Sequence, residues 1–381
     1  MVKAAYIHIP FCEQICHYCD FNKFLIEGQP VDDYLDAMEH EIKKMLKEFP
    51  AVPIETIYIG GGTPTALDDT QLKRMLDIVN INLKPGVDTE FTVEANPSVT
   101  ERQKLQILKE AGVNRLSIGV QAFQDTLLTA LNRNHRRNDV ARMINDAQTI
   151  GFENISIDLM FGLPGQTIEM FKESVSLALQ LNVPHISAYS LQVEKQTVFG
   201  IRDRKGQLSL PGEEQESDMF EYLIDTLKQN GFTQYEISNF ARPGYESRHN
   251  QMYWKNERYY GIGAGAHGYV NDIRYENVKP LPHYIRKINE GVLPQRIVTR
   301  LEKKDRMEEE VFLGLRKMDG VDKARFYEKY NLEIEEVFSE QIDKLTADGL
   351  LINDRKSIRL TDKGLFLGND VFQEFIGVIK Y

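Results

Sequence analysis

The sequence predicts an α/β fold: a partial (β/α) TIM-like barrel followed by a small α+β domain of winged-helix type. Three observations carry that expectation. Up to residue 240, short β-branched runs alternate with amphipathic helical stretches. Polar residues recur at the C-terminal ends of successive runs. Beyond residue 295 the composition changes to charged helices and one short hairpin.

The strands are read at 4–9 (AAYIHI), 55–60 (ETIYIG), 89–95 (TEFTVEA), 115–121 (RLSIGVQ), 155–161 (ISIDLMF), 185–191 (HISAYSL) and 233–239 (TQYEISN). Between the first two, Tyr34, Met38, Ile42, Met45 and Phe49 recur at helical spacing. Further helices are expected at 68–82, 100–111, 138–150, 167–181 and 213–230, with Gly151 and Gly231 as C-terminal caps. This rhythm implies parallel strands joined by helical crossovers. A doubly wound sheet would gather its ligand contacts at one switch point. Here Gly60–Thr63, Glu94, Gln121 and Asp158 mark the ends of four different strands, as on the working face of a barrel. The barrel with its extension is assigned to residues 1–295 and the second domain to 296–381.

In that second domain, three helices and a hairpin (LLIN and SIRL) resemble a winged helix, a shape that often reads DNA. Its third helix carries Glu333, Glu335, Glu336, Glu340, Asp343 and Asp348 against Lys344, so phosphate would repel it. The whole chain of 381 residues has a net charge of −11, which argues against nucleic acid and allows at most peripheral contact with anionic lipid. No run of apolar residues is long enough to span a bilayer, and the N-terminus does not read as a secretory signal. A cytoplasmic protein is expected.

The three cysteines, Cys12, Cys16 and Cys19, form C-x3-C-x2-C directly after the first strand. An odd count argues against a disulfide framework. Ordinary [4Fe–4S] sites use four thiolates, so three leave one iron open to an exogenous amine and carboxylate. The alternative is a structural zinc completed by His8 or His17.

At this point the sequence resembles the radical S-adenosylmethionine (SAM) superfamily, and YIHIPFCEQICHYCDF resembles its coproporphyrinogen III oxidase (HemN)-like group. The resemblance implies a [4Fe–4S] cluster on the three cysteines and SAM on the open iron, with Tyr18 fitting the loop signature. It implies further that Gly61, Gly62 and Thr63 of GGGTPT, together with Tyr6, Glu94, Gln121, Arg133 and Asp158, bind SAM. The chemistry such a site supports is one-electron cleavage of the sulfonium. Orientation and exclusion of side reactions fall to the protein.

Two features depart from the oxidases. Phe21 stands where their loop has a further cysteine, and Cys12 lies close to the start of the chain. HNQMYW (249–254), followed by YYGIGAGAHGY (259–269), is similar to the signature of the haem chaperone subgroup. That similarity implies haem as bound cargo and haemoproteins as recipients, with a homodimer as one assembly. His249 is a candidate axial ligand, His267 a second one, and Tyr253 and Trp254 offer flat apolar surface to a macrocycle. The enzyme alternative is SAM-dependent, oxygen-independent oxidation of coproporphyrinogen III.

Overall fold

The computed structural model describes residues 1–380. Six strands lie side by side in chain order: β1 (Val2–Ile9), β2 (Ala51–Gly61), β3 (Glu90–Ala95), β4 (Arg115–Gln121), β5 (Asn154–Phe161) and β6 (His185–Ser190). Every adjacent pair is parallel. The crossovers are α1 (Val31–Glu48), α2 (Asp69–Leu83), α3 (Arg102–Glu110), the short α4 (Asp125–Ala130) with α5 (Arg137–Ile150), and α6 (Ile168–Gln180). Each returns the chain to the same end of the sheet, as parallel pairing requires.

Local chemistry accounts for the helices. The predicted stripe of α1 is its buried face, with Tyr34, Met38, Ile42 and Met45 packed on the sheet. Asp68 and Gln71 close a capping box at the start of α2. Gly151 ends α5 with φ 99°, a conformation that favours glycine.

The run 233–239 differs from its expected form. It is a hairpin of β7 (Thr233–Glu236) and β8 (Asn239–Ala241), and β8 adds antiparallel to β6. The turn lets Ile237 leave the sheet, donate its N–H to the Arg316 carbonyl and pack on the C-terminal core. Upstream lie α7 (Val198–Arg204) and α8 (Glu213–Gln229), and downstream α9 (Arg248–Trp254). Beyond α9, β9 (Tyr259–Ile262) pairs parallel with β1. An antiparallel meander of β10 (His267–Val270), β11 (Ile273–Asn277) and β12 (Gln295–Arg300) follows, with α10 (Leu281–Asn289) before its last strand. The sheet runs β12-β11-β10-β9-β1-β2-β3-β4-β5-β6-β8-β7, so it ends in two edges and the barrel is partial.

The C-terminal segment holds α11 (Lys303–Gly314), β13 (Val321–Asp322), α12 (Lys323–Tyr330), α13 (Ile334–Ala347), β14 (Leu351–Asn353) and β15 (Ser357–Leu360), its strands ordered β13-β15-β14. It has its own core around Val311, Phe326, Phe338 and Ile342, where each buried aromatic contributes about 2–3 kcal/mol. Arg325 ties this unit to the barrel through Glu257 (2.9 Å), and Arg316 stacks over the Trp254 ring at 4.6 Å.

Candidate cofactor site

After β1, Phe11–Cys12 pairs parallel with Phe24–Leu25 and closes the cysteine loop. The loop is tied to distant elements. His17 N–H donates to the Leu131 carbonyl (3.0 Å), Asn132 Nδ2 to that of Ile15 (2.8 Å), and Asn22 Nδ2 to those of Ala264 (2.8 Å) and Lys279 (3.0 Å). Cys12 is buried and Cys16 and Cys19 are half-buried, all three as free thiols. Burial pushes the Cys12 thiol up to about 11 and raises that of Cys19. Such thiols give up their protons when a metal takes the proton's place on sulfur.

Of the two histidines near the loop, His8 is engaged at both ring nitrogens and His17 at one. His8 is hydrogen-bonded at both ring nitrogens, to Tyr6 Oη (2.9 Å) and the Asn22 carbonyl (2.7 Å). His17 uses Nδ1 on the Ala130 carbonyl (3.0 Å) and lays its ring beside Phe199. No three His, Cys, Asp or Glu side chains among the described residues form a group that could hold a single metal ion, and the three thiols of the loop fit a cluster better than tetrahedral zinc.

The glycine turn that ends β2 faces this loop. Gly62 N–H donates to the Ile9 carbonyl (2.9 Å) and Thr63 N–H to that of Phe11 (2.7 Å), while Thr63 Oγ1 donates to Cys12 Sγ at 3.8 Å. Gly61 has φ 115°, and a Cβ there would lie 2.3 Å from His8 Nδ1. At Gly60 a Cβ would lie 2.6 Å from the Glu94 carboxyl carbon. Only bare backbone brings the turn this close to its neighbours. Glu94 accepts from Tyr58 Oη (2.8 Å) and Gly61 N–H (3.0 Å), and burial raises its carboxyl to about 7. Tyr6 and Tyr58 sit opposite one another in register and stack, ring centres 6.2 Å apart.

Across the barrel, β4 bulges between Gly119 and Gln121, and Gln121 takes φ 67°. A bulge re-aims the side chain at the strand's end. Arg133 reaches back to donate to Cys16 Sγ (3.7 Å) and to the Gly119 carbonyl, leaving its buried Nε without a partner. Asp158 lies between Ser117 (3.5 Å) and Ser187, and burial raises it to about 6 against the pull of Arg115 and Arg133. Tyr18 packs on the apolar cluster of Leu127, Leu128 and Leu163, beside Cys16. The structure therefore brings Tyr6, Tyr18, Gly61, Gly62, Thr63, Glu94, Gln121, Arg133 and Asp158 to the end of the barrel that holds the cysteines. Sequence reasoning missed Tyr58, which the strand register pairs with Tyr6, and Arg115, a buried cation inside the barrel whose charge reaches Asp158.

HNQMYW does not form part of that mouth. It builds α9, capped by Ser247, and His249 is 1% exposed. Both His249 nitrogens are hydrogen-bonded, Nδ1 to Thr56 Oγ1 (2.8 Å) and Nε2 to Tyr253 Oη (2.9 Å). Burial and the Arg115 charge hold the imidazole down at about 3. In this conformation both nitrogens are occupied, so the ring would have to leave Thr56 or Tyr253 to meet an iron. Tyr253 is held edge-on between His249 and Tyr259, and Arg316 covers one face of Trp254. His267 is the opposite case, with its side chain 66% exposed.

Comparison with known proteins matches this architecture. The radical SAM superfamily model covers residues 6–178, and the HemN C-terminal domain model covers 301–367. The haem chaperone HemW of Bacillus subtilis is 51% identical over 377 residues, covering 99% of this chain and 100% of that protein. The chain belongs to the HemW family of the radical SAM superfamily. Its HemW relative from Escherichia coli is 34% identical, covering 97% of each chain. The solved structure of coproporphyrinogen III oxidase (HemN) from E. coli, a radical SAM enzyme, superposes with a TM-score of 0.87 at 28% identity, covering 99% of this chain and 90% of that one. Membership of the superfamily implies a [4Fe–4S] cluster and SAM. The residues present fit both: three thiols on one anchored loop, a buried Arg133 Nε without a partner beside Cys16, and across the barrel a glycine turn too crowded for side chains.

Proposed function

We propose that this protein binds haem and delivers it to recipient haemoproteins. In this reading it holds a [4Fe–4S] cluster on Cys12, Cys16 and Cys19. The strand-end residues from Tyr6 to Asp158 then bind SAM, with Glu94 and Arg133 meeting its charged groups. The observation that carries the reading is the end-to-end match to proteins named as haem chaperones, at 51% identity in the first case. Phe21 supports it, since the loop lacks the extra cysteine expected of an oxidase. The reading places the protein in the cytoplasm, with a homodimer as its assembly and at most peripheral membrane contact.

Titration of the anaerobically reconstituted protein with haemin tests it. A saturable Soret shift is expected, and its absence overturns the proposal. The likeness to HemN supports a second reading, oxidation of coproporphyrinogen III with consumption of SAM. Anaerobic incubation with coproporphyrinogen would then yield the oxidised product, and the chaperone reading expects none.

A further inference from the structure

We propose that Arg115 is a positioning residue for SAM: its charge, buried in the lower barrel without an ion pair, keeps Asp158 in the carboxylate form that meets the cofactor. The inference rests on the reading above, in which the strand-end residues bind SAM, and adds to them a residue that acts through another. Arg115, Ser117 and Gly119 alternate along β4, and Gly119 is the register partner of Asp158 on β5. All four therefore share one face of the sheet. Ser117 stands between the two charged residues, and its Oγ donates to Asp158 Oδ1 at 3.5 Å.

No neighbour neutralises the guanidinium. Arg115 is 2% exposed, its Nε has no partner, and no carboxylate among the described residues comes within ion-pair distance of it. Its register neighbours are Thr92 and Asn154, both uncharged. Glu90, which opens β3, instead accepts from the backbone N–H groups of Arg248 and His249 (2.9 Å each). The two histidines nearby are engaged as well: His185 holds Ser156 at Nδ1 and Tyr235 at Nε2, and His249 is bonded at both nitrogens. Burial and the Arg115 charge keep both rings neutral. An arginine keeps its proton in a protein interior, and a charge without a contact partner acts at longer range there than in water.

Asp158 is the acid that feels this charge. Burial pushes its carboxyl toward the protonated form, and hydrogen bonds from Ser187 and Ser117 together with the charges of Arg115 and Arg133 hold it at about 6. The other titratable groups that face it are Glu94, Tyr58 and Tyr189, each raised first by burial and further by the Asp158 charge. Of the two cations, Arg133 is engaged at the mouth by Cys16 Sγ and the Gly119 carbonyl. Arg115 has no such contact. A carboxylate accepts hydrogen bonds and attracts cations, whereas its protonated form presents a donor and no charge. SAM carries a sulfonium and an ammonium group, so the ionised form of Asp158 is the one that suits it.

Equilibrium dialysis of SAM against the full-length, cluster-reconstituted protein, repeated over a range of pH, tests the assignment. The carboxylate form binds, so wild-type affinity should fall as pH drops through about 6. R115M removes the charge but keeps a long side chain, and it should carry this acid limb about one pH unit higher. Below both midpoints R115M should bind SAM about tenfold more weakly than the wild type, the ratio that one unit sets. At alkaline pH the two should converge. On a D158N background R115M should leave the profile unchanged, because the group it acts on is gone. A deficit in R115M that is the same at every pH, or that persists without Asp158, overturns the assignment and leaves SAM binding standing. If R115M does not fold, the wild type decides: a limb at about 6 that D158N removes supports the assignment, and one well above neutrality overturns it. A wild type that retains no SAM overturns both the assignment and the reading beneath it.

Discussion

Replacing His249 with alanine separates a structural histidine from a haem ligand. The ring bridges Thr56 of β2 and Tyr253 of α9, and it packs 5.3 Å from Tyr58 and 5.0 Å from Tyr253, centre to centre. Two neutral hydrogen bonds contribute about 1 kcal/mol each. The buried Thr56 hydroxyl left without its partner adds about 1 kcal/mol, and lost aromatic packing about another 1 kcal/mol. His249→Ala should therefore destabilise the protein by roughly 3–4 kcal/mol, and His249→Gln, which keeps one bond, by about half of that. Urea denaturation followed by far-ultraviolet circular dichroism measures the loss. A haemin titration on the fraction still folded should give the wild-type Soret. Wild-type stability together with a lost Soret would return His249 to the iron.

Other consequences follow from the same geometry. Gly61→Ala should cost about 3 kcal/mol, since φ 115° is strained for alanine and its Cβ meets a doubly hydrogen-bonded His8. It should also abolish SAM retention in equilibrium dialysis; wild-type retention contradicts the proposed turn. Glu41 is fully buried, accepts from Gly263 N–H, Asn277 Nδ2 and Tyr284 Oη, and is raised from 4.5 to about 7. The fold keeps its proton where the unfolded chain has lost it, so that stability is present below pH 4.5 and fades as pH rises through 7. Relative to wild type, Glu41→Gln should therefore gain about 2.5 kcal/mol between pH 5 and pH 8. The buried histidines titrate alike in both proteins and cancel, and a pH-independent difference would contradict the burial argument.

The cysteine loop and the strand ends were legible because a three-thiol spacing and polar residues closing β-branched runs both break the local pattern. Asp158, flanked by Ile157 and Leu159, is such a break. The lower barrel was not legible. Arg115, Ser156 and His185 open or interrupt apolar runs in the same way, yet nothing local says whether they face the lumen or solvent. Ser156 and His185 are joined at 2.7 Å only because β5 and β6 lie in register. The run 233–239 has uniform strand propensity, and the hairpin arises from Ile237 packing on a core more than seventy residues away in sequence. HNQMYW shows why a motif does not fix a role. His249 and Trp254 stand out by type, but only tertiary contacts reveal that Thr56, Tyr253 and Arg316 already occupy them. His267 carried the weaker sequence signal and occupies the accessible position.

A radical SAM scaffold that serves haem delivery must hand its haem to an acceptor. The direct measurement is transfer from haem-loaded, cluster-reconstituted protein to an apo-haemoprotein such as apomyoglobin, with a parallel anaerobic incubation containing coproporphyrinogen III and SAM. The Soret spectrum should become that of the acceptor, at a rate that rises with acceptor concentration, while coproporphyrinogen is unchanged. Coproporphyrinogen consumed alongside 5′-deoxyadenosine formation, with no haem held or passed on, would contradict it.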